Sequence, residues 1–153
     1  MAGFTVTTYD SHPPAETALV DSGLGDANDA AAPLHEVQPI SCFARAASGE
    51  LIGGVVGRWW GSCCELQQLW VEPSHRGKGI GTQLIGAFEA HARSRGCSSF
   101  YLETFSFQAP TLYQSLGYEV AYEHKMYPHG IAKFIMTKHR SRRETDLGFP
   151  SMR

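Results

Sequence analysis

The 153-residue sequence lacks several features that would assign a function class at once. No apolar run approaches the roughly 20 residues that a membrane-spanning helix requires. The N-terminal MAGFTVTTYDSHPP has neither a basic start nor an apolar stretch, so we do not expect a secretory signal. The formal net charge of −2 gives no basic face for nucleic acid. We therefore expect a cytoplasmic protein with no membrane or nucleic-acid partner.

Metal-binding patterns are also missing from the sequence. None of the four cysteines (Cys42, Cys63, Cys64 and Cys97) forms a CxxC pair, and no histidines cluster at zinc spacing. The pattern is typical of reduced structural thiols in a protein without a metal.

What is present is an alternation of strand and helix patterns. Strands are predicted at 4–9, 40–46, 51–60, 63–71, 98–104, 118–126 and 131–138. Helices are predicted at 14–22, from the glycine loop to 95, and at 108–116, and residues 23–39 are predicted to form a loop with at most one further helical turn. This order predicts an α/β fold, with a mixed, mostly antiparallel sheet flanked by helices and a central strand–helix–strand crossover. We expect one domain over 1–139 and a polar, mobile tail over 140–153.

A glycine-rich loop precedes the central helix, in the run Pro73-Ser-His-Arg-Gly-Lys-Gly-Ile-Gly81. Glycines at 77, 79 and 81 allow the backbone to approach a ligand closely, and free N–H groups at a helix start attract anions. Arg76 and Lys78 add positive charge. The loop therefore predicts a diphosphate site.

Three classes of diphosphate site compete for this loop. The P-loop pattern GxxxxGK[ST] is absent. A Rossmann site, and with it a nucleotide-dependent oxidoreductase, fits poorly, because the third glycine falls at 81 instead of 82 and three meander strands come first. The third class is a coenzyme A site.

Two blocks of sequence resemble the GNAT family of N-acetyltransferases. The run from Val71 to Gly81 is similar to the family's [RQ]xxGx[GA] acetyl-CoA motif, and Ala109-Pro-Thr-Leu-Tyr-Gln-Ser-Leu-Gly-Tyr118 is similar to its second block. The resemblance implies the GNAT fold, acetyl-CoA as co-substrate and no metal. It also implies a cofactor site formed by Leu69, Trp70, Val71, Arg76, Gly77, Lys78, Gly79, Ile80, Gly81, Thr82 and Ser106. Position 106 often carries asparagine in the family, so the shorter Ser106 weakens that expected contact.

Acetyl transfer to an amine needs a base to deprotonate the amine and an acid to protonate the leaving thiolate. The resemblance implies that Glu65, in the strand before the loop, is the base, and Glu103 is the second candidate. It implies that Tyr113 is the acid, and that a backbone N–H near Trp70 or Val71 stabilises the oxyanion.

These residues predict an acetyl-CoA-dependent N-acetyltransferase that acts by direct transfer on a primary amine of a small molecule or peptide. A protein lysine or N-terminal acetyltransferase and a non-catalytic acyl-CoA-binding or regulatory domain are the alternatives. The family often dimerises, so a homodimer is possible.

Overall fold

A computed structural model of the chain describes residues 3–139. The described residues form two compact units, one that ends at Glu36 and one that begins at Val37. The predicted tail at 140–153 lies outside the described residues. The extent of the domain, 1–139, stays a prediction.

The first unit differs from its predicted structure in two ways. Residues 4–9 form no strand, although they are rich in β-branched and aromatic residues, because strand propensity alone supplies no neighbouring backbone to pair with. The helix α1 runs over Pro14–Ala31, so the loop prediction from residue 23 was wrong up to Ala31. Gly23 and Gly25 each cost about 1 kcal/mol in a helix, and the alanines around them are strong helix formers that outweigh this cost.

The second unit contains a six-stranded sheet, with β1 (Gln38–Arg45), β2 (Leu51–Trp60), β3 (Cys63–Val71), β4 (Ser99–Phe105), β5 (Glu119–His124) and β6 (Lys133–His139). The strand order is β1-β2-β3-β4-β6-β5, and only the central pair β3–β4 is parallel. Helix α2 (Ile80–Ser94) connects these two strands, and α3 (Pro110–Ser115) connects β4 to β5. The predicted mixed, mostly antiparallel α/β fold with a central crossover is confirmed.

One face of the sheet forms the core with α2. The helix buries Leu84, Ile85, Phe88 and Ala92 at helical spacing, and it contacts β1, β2 and β3. Glu89 is buried on the same helix, where Lys138 of β6 donates to both its carboxylate oxygens at 2.9 Å. The ion pair compensates the buried charge and ties α2 to the far half of the sheet.

The central strand β3 is irregular where it leaves β4. Val56 and Gly57 of β2 pair with Gln68 and Leu66, so Gln67 is an extra residue in β3, a β-bulge. The parallel pairing of β3 with β4 ends at Leu66 with Leu102. The remainder of β3 therefore has one unpaired edge, and two clefts open along it.

Candidate active site

The larger cleft lies beside the unpaired end of β3 and has a volume of about 530 Å³. Its walls come from the end of β3, the glycine loop, the start of α2 and the segment leading into α3. The lining residues are Leu69, Trp70, Val71, His75, Arg76, Gly77, Gly79, Ile80, Gly81, Thr82, Phe107, Gln108, Ala109 and Leu112. We call it the loop cleft.

The glycine loop has the backbone conformation that its sequence predicts. Gly77 and Gly79 adopt φ values of 76° and 78°, in the left-handed region that other residues avoid, and a Cβ at either position would meet open space. Gly79 is the N-cap of α2 and supplies no side-chain cap, so the N–H groups of the first helical turn are left for a ligand. An anion such as a diphosphate fits this position chemically.

A hydrogen-bonded turn holds the loop against β3. Glu72 accepts from the backbone N–H and hydroxyl of Ser74, and its carboxylate lies 2.9 Å from Nδ1 of His75. The hydrogen bonds from Ser74, followed by the contact with His75, hold the pKa of Glu72 below its usual value. Arg76 donates from Nε to the carbonyl of Val71 at 2.9 Å. The loop is thus positioned before any ligand enters.

Nine of the eleven predicted cofactor residues line the loop cleft, and Lys78 and Ser106 are not among its lining residues. Ser106 pairs with Ala132 instead: its N–H donates to the Ala132 carbonyl at 2.8 Å, and its hydroxyl accepts from the Ala132 N–H at 3.1 Å. The roles of all eleven stay predictions. The sequence analysis did not assign Phe107 and Gln108 to this cleft; only their place just before the second block could have indicated it.

The second cleft, of about 310 Å³, lies nearer the start of β3, beside the end of β4. It is lined by Glu65, Leu66, Gln67, Glu103, Thr104, Phe105 and Lys133. Unlike the loop cleft, it contains two carboxylates. We call it the carboxylate cleft. Both candidate bases, Glu65 and Glu103, are thereby brought into one cavity.

Glu65 is fixed by donors from the strands on both sides. Arg58 of β2 donates from Nε to Oε2 at 2.7 Å, and the Tyr101 hydroxyl of β4 donates to Oε1 at 3.0 Å. Burial, and then this hydrogen bond, raises the pKa of Tyr101. Two of the carboxylate's roughly four lone-pair positions are used, so the group is oriented and can still accept from an amine.

Tyr113 belongs to α3, and its side chain packs in the hydrophobic core instead of lining the loop cleft. Its side chain is buried and its ring packs edge-on against Tyr118, with centroids 5.8 Å apart. Burial raises the pKa of its hydroxyl. The neighbouring Leu112 does line the loop cleft. The role of Tyr113 as acid stays a prediction.

The described part of the chain has neither a group of metal ligands nor a membrane-spanning helix. Residues 3–139 contain no group of three or more His, Cys, Asp or Glu side chains that could hold a metal ion. In the same range, no helix combines the length and apolar character needed to cross a bilayer.

Comparisons with known proteins agree on one family. The model of the Acetyltransferase (GNAT) family matches residues 7–118. The chain is 39% identical over 110 residues to a blasticidin-S acetyltransferase of Streptomyces morookaense, covering 69% of this chain and 81% of that protein. It is 29% identical over 120 residues to a streptothricin acetyltransferase of Streptomyces lavendulae, covering 76% of this chain and 63%, slightly under two thirds, of the relative.

Solved structures share the fold. An acetyltransferase from Bacillus cereus superposes with a TM-score of 0.73 at 25% identity, covering 88% of this chain and 98% of that one. An aminoglycoside 6′-N-acetyltransferase complexed with coenzyme A superposes with a TM-score of 0.61 at 22% identity, covering 69% and 75%. With the family match and the loop cleft, these findings establish that the chain belongs to the GNAT family and is an acetyl-CoA-dependent N-acetyltransferase.

Proposed function

We propose that the protein acetylates an amine of a small basic antibiotic, of the kind that blasticidin S and streptothricin represent, by direct transfer from acetyl-CoA. The names of its relatives support this class of acceptor. A protein amine acceptor is the second candidate, but no observation on the described residues favours it.

The observation that carries the proposal is the succession of two unlike clefts along β3. The loop cleft supplies backbone N–H groups suited to a diphosphate, and the carboxylate cleft supplies acidic groups suited to an amine. The first begins at Leu69 and the second ends at Gln67 on the same strand. Two substrates bound in these clefts would therefore meet near the bulge.

In the proposed mechanism, Glu65 receives the proton that the acceptor's ammonium must lose before its nitrogen can attack. An alkylammonium has a pKa near 10.4, so most of it is protonated at neutral pH. Arg58 and Tyr101 hold the carboxylate in place for this transfer. The nitrogen–carbon bond then forms as the carbon–sulfur bond of the thioester breaks.

Tyr113 is the proposed donor of a proton to the departing thiolate. Burial raises the pKa of its hydroxyl above the ordinary value of 10, so the phenol holds its proton at neutral pH. The residue before it in the sequence, Leu112, lines the loop cleft. A phenol can protonate a thiolate whose conjugate acid has a pKa near 8.5.

The experiment is a release assay for the coenzyme A thiol with blasticidin S, streptothricin, a simple monoamine and a basic peptide as acceptors. Mass spectrometry identifies the product. We expect saturable, antibiotic-dependent thiol release and one added acetyl group. Release with the peptide alone would favour the protein-acceptor alternative, and acetyl-CoA binding without transfer to any acceptor would contradict the proposal.

The Tyr113→Phe variant tests the acid in the same assay. We expect kcat to fall by about 10- to 100-fold because a general acid contributes about that much. Acetyl-CoA affinity should be unchanged. In the parent protein, any alkaline decline of kcat that reports this hydroxyl should come at a higher pH than an exposed phenol would give, because burial raises its pKa. Equal kcat values for the two proteins would remove Tyr113 from the mechanism.

A further inference from the structure

A lysine of the protein itself already occupies the carboxylate cleft. The Nζ atom of Lys133, at the start of β6, lies 3.5 Å from Oε2 of Glu103 and 5.0 Å from the centroid of the Phe105 ring. An ammonium group between a carboxylate and an aromatic face is a geometry by which proteins recognise organic cations.

The Phe105 ring also connects the two clefts. It stacks on Phe107 with centroids 5.3 Å apart and planes within 9°, and Phe107 lines the loop cleft. Tyr127 packs edge-on against Phe105 at 5.4 Å. Two aromatic neighbours therefore hold the Phe105 ring, and one of them forms part of the wall of the loop cleft.

Lys133 is held loosely enough to be replaced by another cation. Its side chain is 31% exposed and that of Glu103 is 45% exposed. Half-exposed ion pairs of this length contribute little, since both groups are also solvated and the lysine loses rotamer freedom. Glu65 is different, because its carboxylate already accepts hydrogen bonds from Arg58 and Tyr101. Glu103 is thus the carboxylate of this cleft that can exchange its partner most readily.

We propose that Glu103 and Phe105 form a subsite for a second cationic group of the acceptor, separate from the amine that is acetylated near Glu65. Lys133 occupies this subsite in the free protein and leaves it when the acceptor binds. The inference rests on the proposed function and narrows it: the acceptor carries at least two cationic groups.

Binding of benzyltrimethylammonium, a cation with no N–H to acetylate, tests the subsite without any turnover. The titration follows the backbone amide signals of residues 105 and 133 by NMR. We expect Lys133→Met to bind the probe about fivefold to tenfold more tightly than the parent, because a competing internal cation is removed. Lys125→Met is the matched control, since it removes an exposed lysine that pairs with Glu123 at 3.8 Å and lines neither cleft.

Glu103→Gln gives a second, independent readout in steady-state kinetics. We expect its KM to rise about tenfold for a diamine acceptor and to stay unchanged for a monoamine of the same length, because only the diamine uses the subsite. The KM for acetyl-CoA should not change. A purely structural role of the Lys133–Glu103 pair would shift both acceptors equally.

Two results would overturn the inference: equal probe affinity in the parent and Lys133→Met, or equal effects of Glu103→Gln on diamine and monoamine. Its failure can be told apart from failure of the proposed function. Antibiotic acetylation without tighter probe binding in Lys133→Met would reject the subsite alone. Tighter probe binding without any acetylation would reject the proposed function and leave a cation site.

Discussion

The loop cleft and the carboxylate cleft follow one another along β3, yet they are built from different parts of the chain. In the loop cleft the binding groups are main-chain N–H groups, presented by glycines at 77 and 79 with positive φ. In the carboxylate cleft they are side chains from three strands: Glu65, Glu103 and Lys133. Backbone groups suit a co-substrate that the family shares, acetyl-CoA. Side chains can differ from one protein to another and so suit different acceptors.

The β-bulge in β3 separates the two clefts, and a side chain added on β2 opposite the bulge should have the largest effect on stability. A Cβ at Gly57 would clash with the Glu65 carbonyl and lie 2.8 Å from the Phe88 ring. We expect Gly57→Ala to lower the free energy of unfolding by about 3 kcal/mol, measured by urea denaturation. Gly86→Ala is the control, because that glycine is exposed on α2 with open space around it, and alanine there should stabilise. Equal stability of the two variants would show that the bulge is not closely packed.

Loss of the base should separate chemistry from cofactor binding. We expect Glu65→Gln to lower kcat by about 100-fold, the usual contribution of a general base, and to leave acetyl-CoA affinity unchanged. Steady-state kinetics and calorimetric titration measure the two quantities. Glu103→Gln should act on the acceptor's KM instead. The opposite pattern, with kcat falling only in Glu103→Gln, would make Glu103 the base.

A side chain at Gly79 tests the backbone character of the loop cleft. We expect Gly79→Ala to weaken acetyl-CoA binding about tenfold, because φ near 78° costs a side chain about 1–2 kcal/mol and the loop must shift to relieve it. Gly96→Ala introduces comparable strain at the far end of α2, where φ is 99°. It should lower stability and leave the cofactor's Kd unchanged. Equal losses of affinity in both variants would indicate a general folding defect.

Loss of the exposed lysine of the glycine loop, Lys78, should have the smallest effect on acetyl-CoA binding. Lys78 is not among the residues lining the cleft, so Lys78→Ala should weaken acetyl-CoA binding only about twofold to threefold. The difference should disappear at high salt, which screens exposed charges. A larger, salt-resistant loss would mean that the lysine contacts the diphosphate directly.

The difference between the clefts also explains what could be predicted from the sequence. Gly77, Gly79 and Gly81 lie at alternate positions of one short run of the chain, and their effect on the backbone is local. Nine residues that line the loop cleft could therefore be predicted. The strand boundaries of β2 and β3 were also predicted correctly, because turn residues delimit both strands.

The carboxylate cleft could not be predicted in the same way. The bonds from Arg58 and Tyr101 to Glu65 depend on the register of β2, β3 and β4. The contact of Lys133 with Phe105 depends on the register of β4 and β6. A slip of one residue in register would separate these pairs, and the pairing of β4 with β3 and β6 joins segments that are distant in the sequence. The prediction for the first unit was wrong for another reason. Glycine and aspartate are typical of loops, but the alanines of α1 favour a helix.

The most direct test of two clefts that are filled together is the initial-velocity pattern of the reaction. Acetyl-CoA and the antibiotic acceptor are varied against each other, and reciprocal plots are compared. Direct transfer between neighbouring clefts predicts intersecting lines, because both substrates must be bound before the amine attacks. Parallel lines, together with an acetylated protein isolated in the absence of acceptor, would contradict the account by showing that the acetyl group passes through the enzyme.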